Sequence, residues 1–407
     1  MIPAASGNWW QPRPVLRRFV TDLLEGELAR QRRCAIGIAR PWPEDLRFEE
    51  DLGVDSLELM VLATALAQAL HLHESGIEDS LLARRSLGDW VDIAQQGLER
   101  FNERITFRTS GSSGDPKGCA HSLQGLLQET GEHARQFAGR HRILAAVPSH
   151  HIYGFLFSVL LPGALGLDDQ AVIDLRGSTP AWLARGAQAG DLVVGHPDFW
   201  QAVASTVPAI APGVVGVTST GPCPAALSES IAATGLDRLV DVYGSSEAAG
   251  IGWRDSPLRP YQLFPYLAFS PDNPAQLVRL LPDGSRRAFE CQDDLQQLDA
   301  GRFRVGQRLD AAVQVAGINV FAARVAAVLE RHPLVDRAAV RLMRPDEGSR
   351  LKAYLVPRGV IADTDAFLAE LRRWIDSALP AHERPKALRL GTQLPVGQSG
   401  KAADWEP

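Results

Sequence analysis

The run Thr106-Phe107-Arg108-Thr109-Ser110-Gly111-Ser112-Ser113-Gly114-Asp115-Pro116-Lys117-Gly118 decides how the rest of the chain reads. It follows a strand-like stretch and precedes a helical one predicted over about 121–137. Glycine lets the backbone fold tightly, so that N–H groups and the hydroxyls of Ser110, Ser112 and Ser113 turn toward phosphate oxygens. Lys117 adds a point charge. The ending Pro116-Lys117-Gly118 does not fit G-x-x-x-x-G-K-[ST], so this is not a Walker loop. A plain Ser/Gly linker is the bland alternative, and the strand–loop–helix setting speaks against it.

Downstream, the short runs ITFRT, ILAAVPS, DLVVGH, GVVGVTST and LVDVYG alternate with helical stretches, which predicts α/β organisation. A Gly- and Arg-rich stretch, residues 301–310, marks a boundary. A small α+β cap follows, with strands AAVQVA, AAVRLM and LKAYLV and helices over about 322–330 and 364–379. Upstream, residues 15–100 read as helical, with Leu16, Phe19, Val20, Leu23, Leu24 and Leu28 at helical spacing. The 407 residues carry 42 Lys+Arg against 48 Asp+Glu, a balance that leaves no electrostatic footprint for nucleic acid. The four cysteines show no paired spacing, which fits a reducing, cytoplasmic setting. No signal peptide or membrane span is predicted.

In Phe48-Glu49-Glu50-Asp51-Leu52-Gly53-Val54-Asp55-Ser56-Leu57-Glu58, Asp55 can cap a helix while Glu58 reaches back. Ser56 then sits at the first helical position, exposed, at the positive end of the dipole. The segment resembles the acyl and peptidyl carrier proteins over about residues 14–100. That resemblance implies 4'-phosphopantetheine on Ser56. The partners it implies are a phosphopantetheinyl transferase and downstream acyl-transfer or polyketide/fatty-acid-like synthase enzymes.

The run from Thr109 to Gly118 resembles the nucleotide loop of the adenylate-forming superfamily of acyl- and aryl-CoA ligases. Further motifs follow in that family's order. Pro148-Ser149-His150-His151-Ile152-Tyr153-Gly154 resembles its acid-pocket segment, and Tyr243-Gly244-Ser245-Ser246-Glu247 resembles Y-G-x-T-E. Gly306-Gln307-Arg308-Leu309-Asp310 resembles the hinge, with one residue inserted. Val315-Ala316-Gly317 resembles the glycine loop, and Gly400-Lys401 the terminal G-K.

The resemblance implies a fold and a set of roles. Expected are a helical carrier bundle (1–101), a compact α/β AMP-binding core (102–305) and a mobile α+β C-terminal subdomain (306–407). ATP and Mg²⁺ are the implied cofactors. Tyr243 would stack on adenine, and Glu247 would hold Mg²⁺. Ser110, Ser112, Ser113 and Lys117, with Gly111 and Gly114, would cradle the β- and γ-phosphates. Asp294 or its neighbour Asp293, with Arg308, would bind ribose; Gly221, Gly244 and Ser246 are further nucleotide contacts. Lys401 would bridge the carboxylate and the α-phosphate, and His151 is a third catalytic candidate beside Lys401 and Glu247. Asp310 would be the hinge, and Gly317 would flank the thiol tunnel.

The acid is expected to be aryl, with a fatty acid second. Tyr153 is the candidate polar partner of a phenol, Gly154 shares that pocket, and Phe155, Phe157, Phe199 and Trp200 either line it or pack the core. The carrier's own thiol is the first expected acceptor and free coenzyme A the second. A decayed, non-catalytic scaffold is the third reading. Only Asn102, Glu103 and Arg104 would tether the carrier, about 10 Å at most, which implies loading between subunits of a homo-oligomer or by a different ligase.

Overall fold

The computed structural model describes residues 7–110, 116–273, 275–308, 312–344, 346–359, 361, 363–395 and 404–406. It divides into two compact units: Met1–Thr109 with Gly118–Gly306, and Ser110–Lys117 with Gln307–Pro407.

The first unit begins with four helices. Helix α1, Arg13–Arg32, starts with proline in its first turn, where a missing N–H costs nothing, and ends at Arg33 in the left-handed region. Helix α2 spans Phe48–Leu52, α3 Ser56–Leu70 and α4 Leu87–Arg100. The predicted cap on α3 is present: Asp55 accepts from the Glu58 N–H at 2.8 Å, and the Glu58 carboxylate accepts from the Asp55 N–H at 3.2 Å.

These helices do not form a separate core. Their apolar residues, Leu16, Phe19, Leu24 and Trp90 among them, belong to one cluster with Ile143, Phe155, Val194, Val217 and Val240 of the α/β part. Trp9 and Phe19 meet the Phe155 ring edge-on at centroid distances of 4.9 and 5.6 Å. Polar bonds reinforce the contact. The buried carboxylate of Asp22 accepts from the backbone N–H and hydroxyl of Ser149, and Glu27 pairs with Arg108 at 3.1 Å. A carrier must leave its surroundings to deliver cargo. This layer could leave only by exposing apolar core and stranding buried charge. The expected boundary at 101/102 therefore does not separate two cores.

The strands of this unit are β1 Arg104–Ser110, β2 Pro116–Ser122, β3 Arg142–Ala145, β4 Val172–Asp174, β5 Asp191–Gly195, β6 Val215–Thr218, β7 Arg238–Ser245 and β8 Ala249–Arg254. They continue with β9 Tyr261–Leu263, β10 Leu267–Phe269, β11 Gln276–Leu280, β12 Arg286–Glu290, β13 Asp293–Gln297 and β14 Arg302–Arg308. Nine form one sheet in the order β13-β14-β9-β8-β7-β6-β5-β3-β4. The run β7-β6-β5-β3-β4 is parallel, and β7-β8-β9-β14 antiparallel. The central strands β3, β5 and β6 are buried nearly throughout, as strands covered on both faces must be. The longer helices of the α/β part are α5 (Leu123–Gln136), α6 (Pro197–Thr206) and α7 (Ala225–Ala233).

The second unit contains the hairpin β15 (Ala312–Val315) and β16 (Ile318–Phe321), joined at Ala316 and Gly317, both with positive φ. Helix α8 (Ala322–Leu329) and helix α9 (Thr364–Ala378) pack on the sheet β17 (Val335–Leu342), β18 (Leu351–Pro357) and β19 (Ala387–Leu390). This is the α+β arrangement that the sequence predicts. Arg324 pairs with Glu383 here.

A shared core predicts shared unfolding. Phe19→Ala should cost about 3–5 kcal/mol and lower one cooperative transition that includes the α/β part. Separate transitions by calorimetry, with the α/β one unmoved, would restore an independent N-terminal domain.

Candidate active site

Parallel strands bind ligands beyond their carboxyl ends. Four candidate segments of the first unit stand there, each leaving one strand. Pro148–Gly154 follows β3, His196 follows β5, Ser219-Thr220-Gly221 follows β6, and Tyr243–Glu247 ends β7.

After β3, the chain turns at Ser149 and enters a helical run at Ile152. A Cβ on Gly154 would lie 1.9 Å from the Pro148 carbonyl oxygen, so this turn closes only over glycine. The His150 and His151 rings meet at a centroid distance of 4.2 Å, tilted by 42°. His151 is exposed, and beyond the end of a parallel strand its imidazole is placed to meet a ligand.

Tyr153 is a correction. Its hydroxyl is buried and lies 3.0 Å from the carbonyl oxygens of both Gly195 and Val217, so its proton already has acceptors. It holds β5 and β6 to the segment and offers no free group to a phenol. Phe155, Phe157 and Trp200 are fully buried core residues as well, while Phe199 is half-buried.

At the end of β7, the Tyr243 hydroxyl donates to the Asp293 carboxylate at 2.6 Å, and the ring leans on Tyr261 and Phe303. The structure thus brings Asp293 to Tyr243. Asp294 instead packs against Gly306, where a Cβ would lie 2.8 Å from its carboxylate. Glu247 is half-buried and has no ion-pair partner among the described residues. A half-buried carboxylate without a cation suits a hard divalent ion such as Mg²⁺.

Two residues that hold this turn escaped the sequence reading. His121, on β2, lies 2.6 Å from the carbonyl of Ser246, next to Glu247. Glu129, on α5, is fully buried and accepts from the Gly250 N–H with both oxygens at 3.0 Å. Burial alone would raise its pKa, but His133, Arg279 and that N–H outweigh it and hold the carboxyl ionised. Both partners lie more than a hundred positions away in sequence, so no local pattern announces them.

In the second unit Lys117 is exposed, Arg308 is half-buried, and Gly317 takes the left-handed turn of the β15–β16 hairpin. Ser110 contributes backbone to β1. Gly111, Ser112, Ser113, Gly114, Asp310 and Lys401 lie outside the described residues.

Residues 105–265 match the AMP-binding enzyme family, and residues 324–401 match the AMP-binding enzyme C-terminal domain. The chain belongs to this adenylate-forming family and is an AMP-forming acid–thiol ligase. It is 40% identical over 373 residues to a 4-coumarate–CoA ligase of Cereibacter sphaeroides, covering 90% of this chain and 87% of the relative. A 4-coumarate–CoA ligase of Rhodobacter capsulatus is 37% identical over 402 residues, covering 96% of this chain and 100% of the relative. That alignment leaves too few residues uncovered to omit the N-terminal helices, so they have a counterpart in a ligase of similar length. The fold resembles the amide bond synthetase from Marinactinospora thermotolerans (TM-score 0.58, 18% identity, 95% of this chain and 92% of that one). No helix among the described residues is long and apolar enough to cross a membrane.

The histidines predict a pH dependence. His121 and His150 are each held below 6.5, chiefly by burial. The unfolded chain therefore takes up protons near pH 6.5 that the native chain refuses. Stability is complete above that pH and is lost as pH falls. The urea midpoint should be lower at about pH 5.5 than at about pH 7.5, and equal midpoints would contradict the burial of these rings.

Proposed function

We propose that the protein joins an aryl acid of the 4-coumarate type to free coenzyme A at the expense of ATP. The observation that carries this reading is the 40% identity to a 4-coumarate–CoA ligase over 90% of the chain. In the first step a carboxylate oxygen attacks the α-phosphorus of ATP. An O–P bond forms, the bond to the bridging oxygen breaks, and pyrophosphate leaves. In the second step the thiol loses its proton and its sulfur attacks the acyl carbon. A C–S bond forms, the C–O bond to AMP breaks, and AMP leaves.

Neither step needs a protein nucleophile, so the chain's task is alignment and charge neutralisation. Tyr243 would cover the adenine and Asp293, with Arg308, would take the ribose. Glu247 would hold Mg²⁺, which when bound offsets phosphate charge. Ser110, Ser112, Ser113 and Lys117 would hold the outer phosphates, and Lys401 would steady the charge shared by the carboxylate and the α-phosphate. His151 would border the acid.

Free coenzyme A, rather than a phosphopantetheine arm on Ser56, supplies the thiol. Ser56 and Leu57 are exposed at a capped helix start, but the layer that carries them is anchored in the ligase core. Ser56→Ala should leave coenzyme A ligation within about twofold of wild type, and a phosphopantetheinyl transferase should add no mass. Loss of ligation, or modification at Ser56, would return the carrier reading. Thioester formation across hydroxycinnamates, benzoates and fatty acids tests the acid. Hydroxycinnamates should react fastest, and turnover of fatty acids alone would contradict the assignment.

A further inference from the structure

Helix α1 meets the acid-pocket segment and the helical run after it through residues between Arg18 and Gly26. Trp9, just before it, and Phe19 touch Phe155. Arg18 donates to the carbonyl of Ser158 at 2.5 Å. One turn after Asp22, Gly26 faces His150 so closely that a Cβ there would lie 2.8 Å from both Cε1 and Nε2 of the ring.

Asp22 is the centre of this contact. Its Oδ2 accepts from the Ser149 N–H at 2.7 Å and the Ser149 hydroxyl at 2.6 Å. Its Oδ1 accepts from Arg40 at 2.9 Å and Arg176 at 2.7 Å. Four donors use the full accepting capacity of a carboxylate. Both guanidiniums also reach Asp174, at the carboxyl end of β4, and Arg40 meets Glu25 as well. The residue is 2% exposed and Ser149 is 1% exposed, so water cannot substitute for either partner.

We infer that α1 forms a wall of the acid site, and that Asp22 is a positioning residue that sets the turn Ser149-His150-His151. The inference rests on the reading that the acid binds beyond the carboxyl end of β3. One helix supports this turn, through one carboxylate and one glycine.

Two substitutions separate positioning from stability. In Asp22→Asn one oxygen becomes an NH₂ group, which faces donors whichever way the amide is turned. Gly26→Ala favours the helix but drives the His150 ring from its place. Gly131→Ala, on α5 with open space around it, is the control. ATP–pyrophosphate exchange with varied acid and varied ATP reads the effect. Asp22→Asn and Gly26→Ala should raise the KM for the acid about tenfold or more, and leave the KM for ATP within about twofold. The Gly26→Ala melting midpoint should not fall below that of wild type.

An unchanged acid KM in Gly26→Ala would overturn the inference. So would acid and ATP KM rising together with a lowered melting midpoint. Gly26→Ala decides alone if Asp22→Asn does not fold. Wild type that activates no aryl acid overturns the proposed function, whereas active wild type with unshifted Gly26→Ala overturns only the role of α1.

Discussion

The buried carboxylate of Asp22 is the interaction on which the first unit's arrangement turns. A charge out of water must be fully partnered, and this one is partnered across elements: α1 supplies the carboxylate, the turn after β3 supplies Ser149, and Arg40 and Arg176 close the cluster. Nothing about the helix alone requires an aspartate on its buried face. The carboxylate joins the helical layer to the α/β sheet at the same place where the two share one apolar cluster.

Counted as part of the ligase, that layer supplies buried contacts to the α/β core, and a relative of similar extent aligns across it. Glu58 at the start of α3 pairs with Arg32 at 2.6 Å, and Glu44 pairs with Arg13 at 2.9 Å, so both carboxylates are engaged with α1.

What was legible in the sequence was what local pattern encodes. The strands entering the sheet, the helices Arg13–Arg32 and Thr364–Ala378, and the box at Asp55 and Glu58 all follow from periodicity or capping. The order of the motifs carried the family. The misreading had the same source as the successes. A capping box before an apolar helix is a true local statement, but it is silent on what the far face packs against. Asp22, His121 and Glu129 were invisible for the complementary reason, since their partners Ser149, Ser246 and Gly250 lie 127, 125 and 121 residues away. Tyr153 failed differently: an aromatic with a hydroxyl fits a phenol pocket by type, and two backbone carbonyls had already engaged it.

The central claim is that the N-terminal helix belongs to the catalytic unit and senses the acid. Amide hydrogen exchange, compared between free protein and protein holding acid and ATP without coenzyme A, tests it most directly. The account predicts that amides around Asp22 and Gly26 gain protection together with those of residues 148–158. Protection confined to residues 148–158, with α1 exchanging as in the free protein, would contradict it.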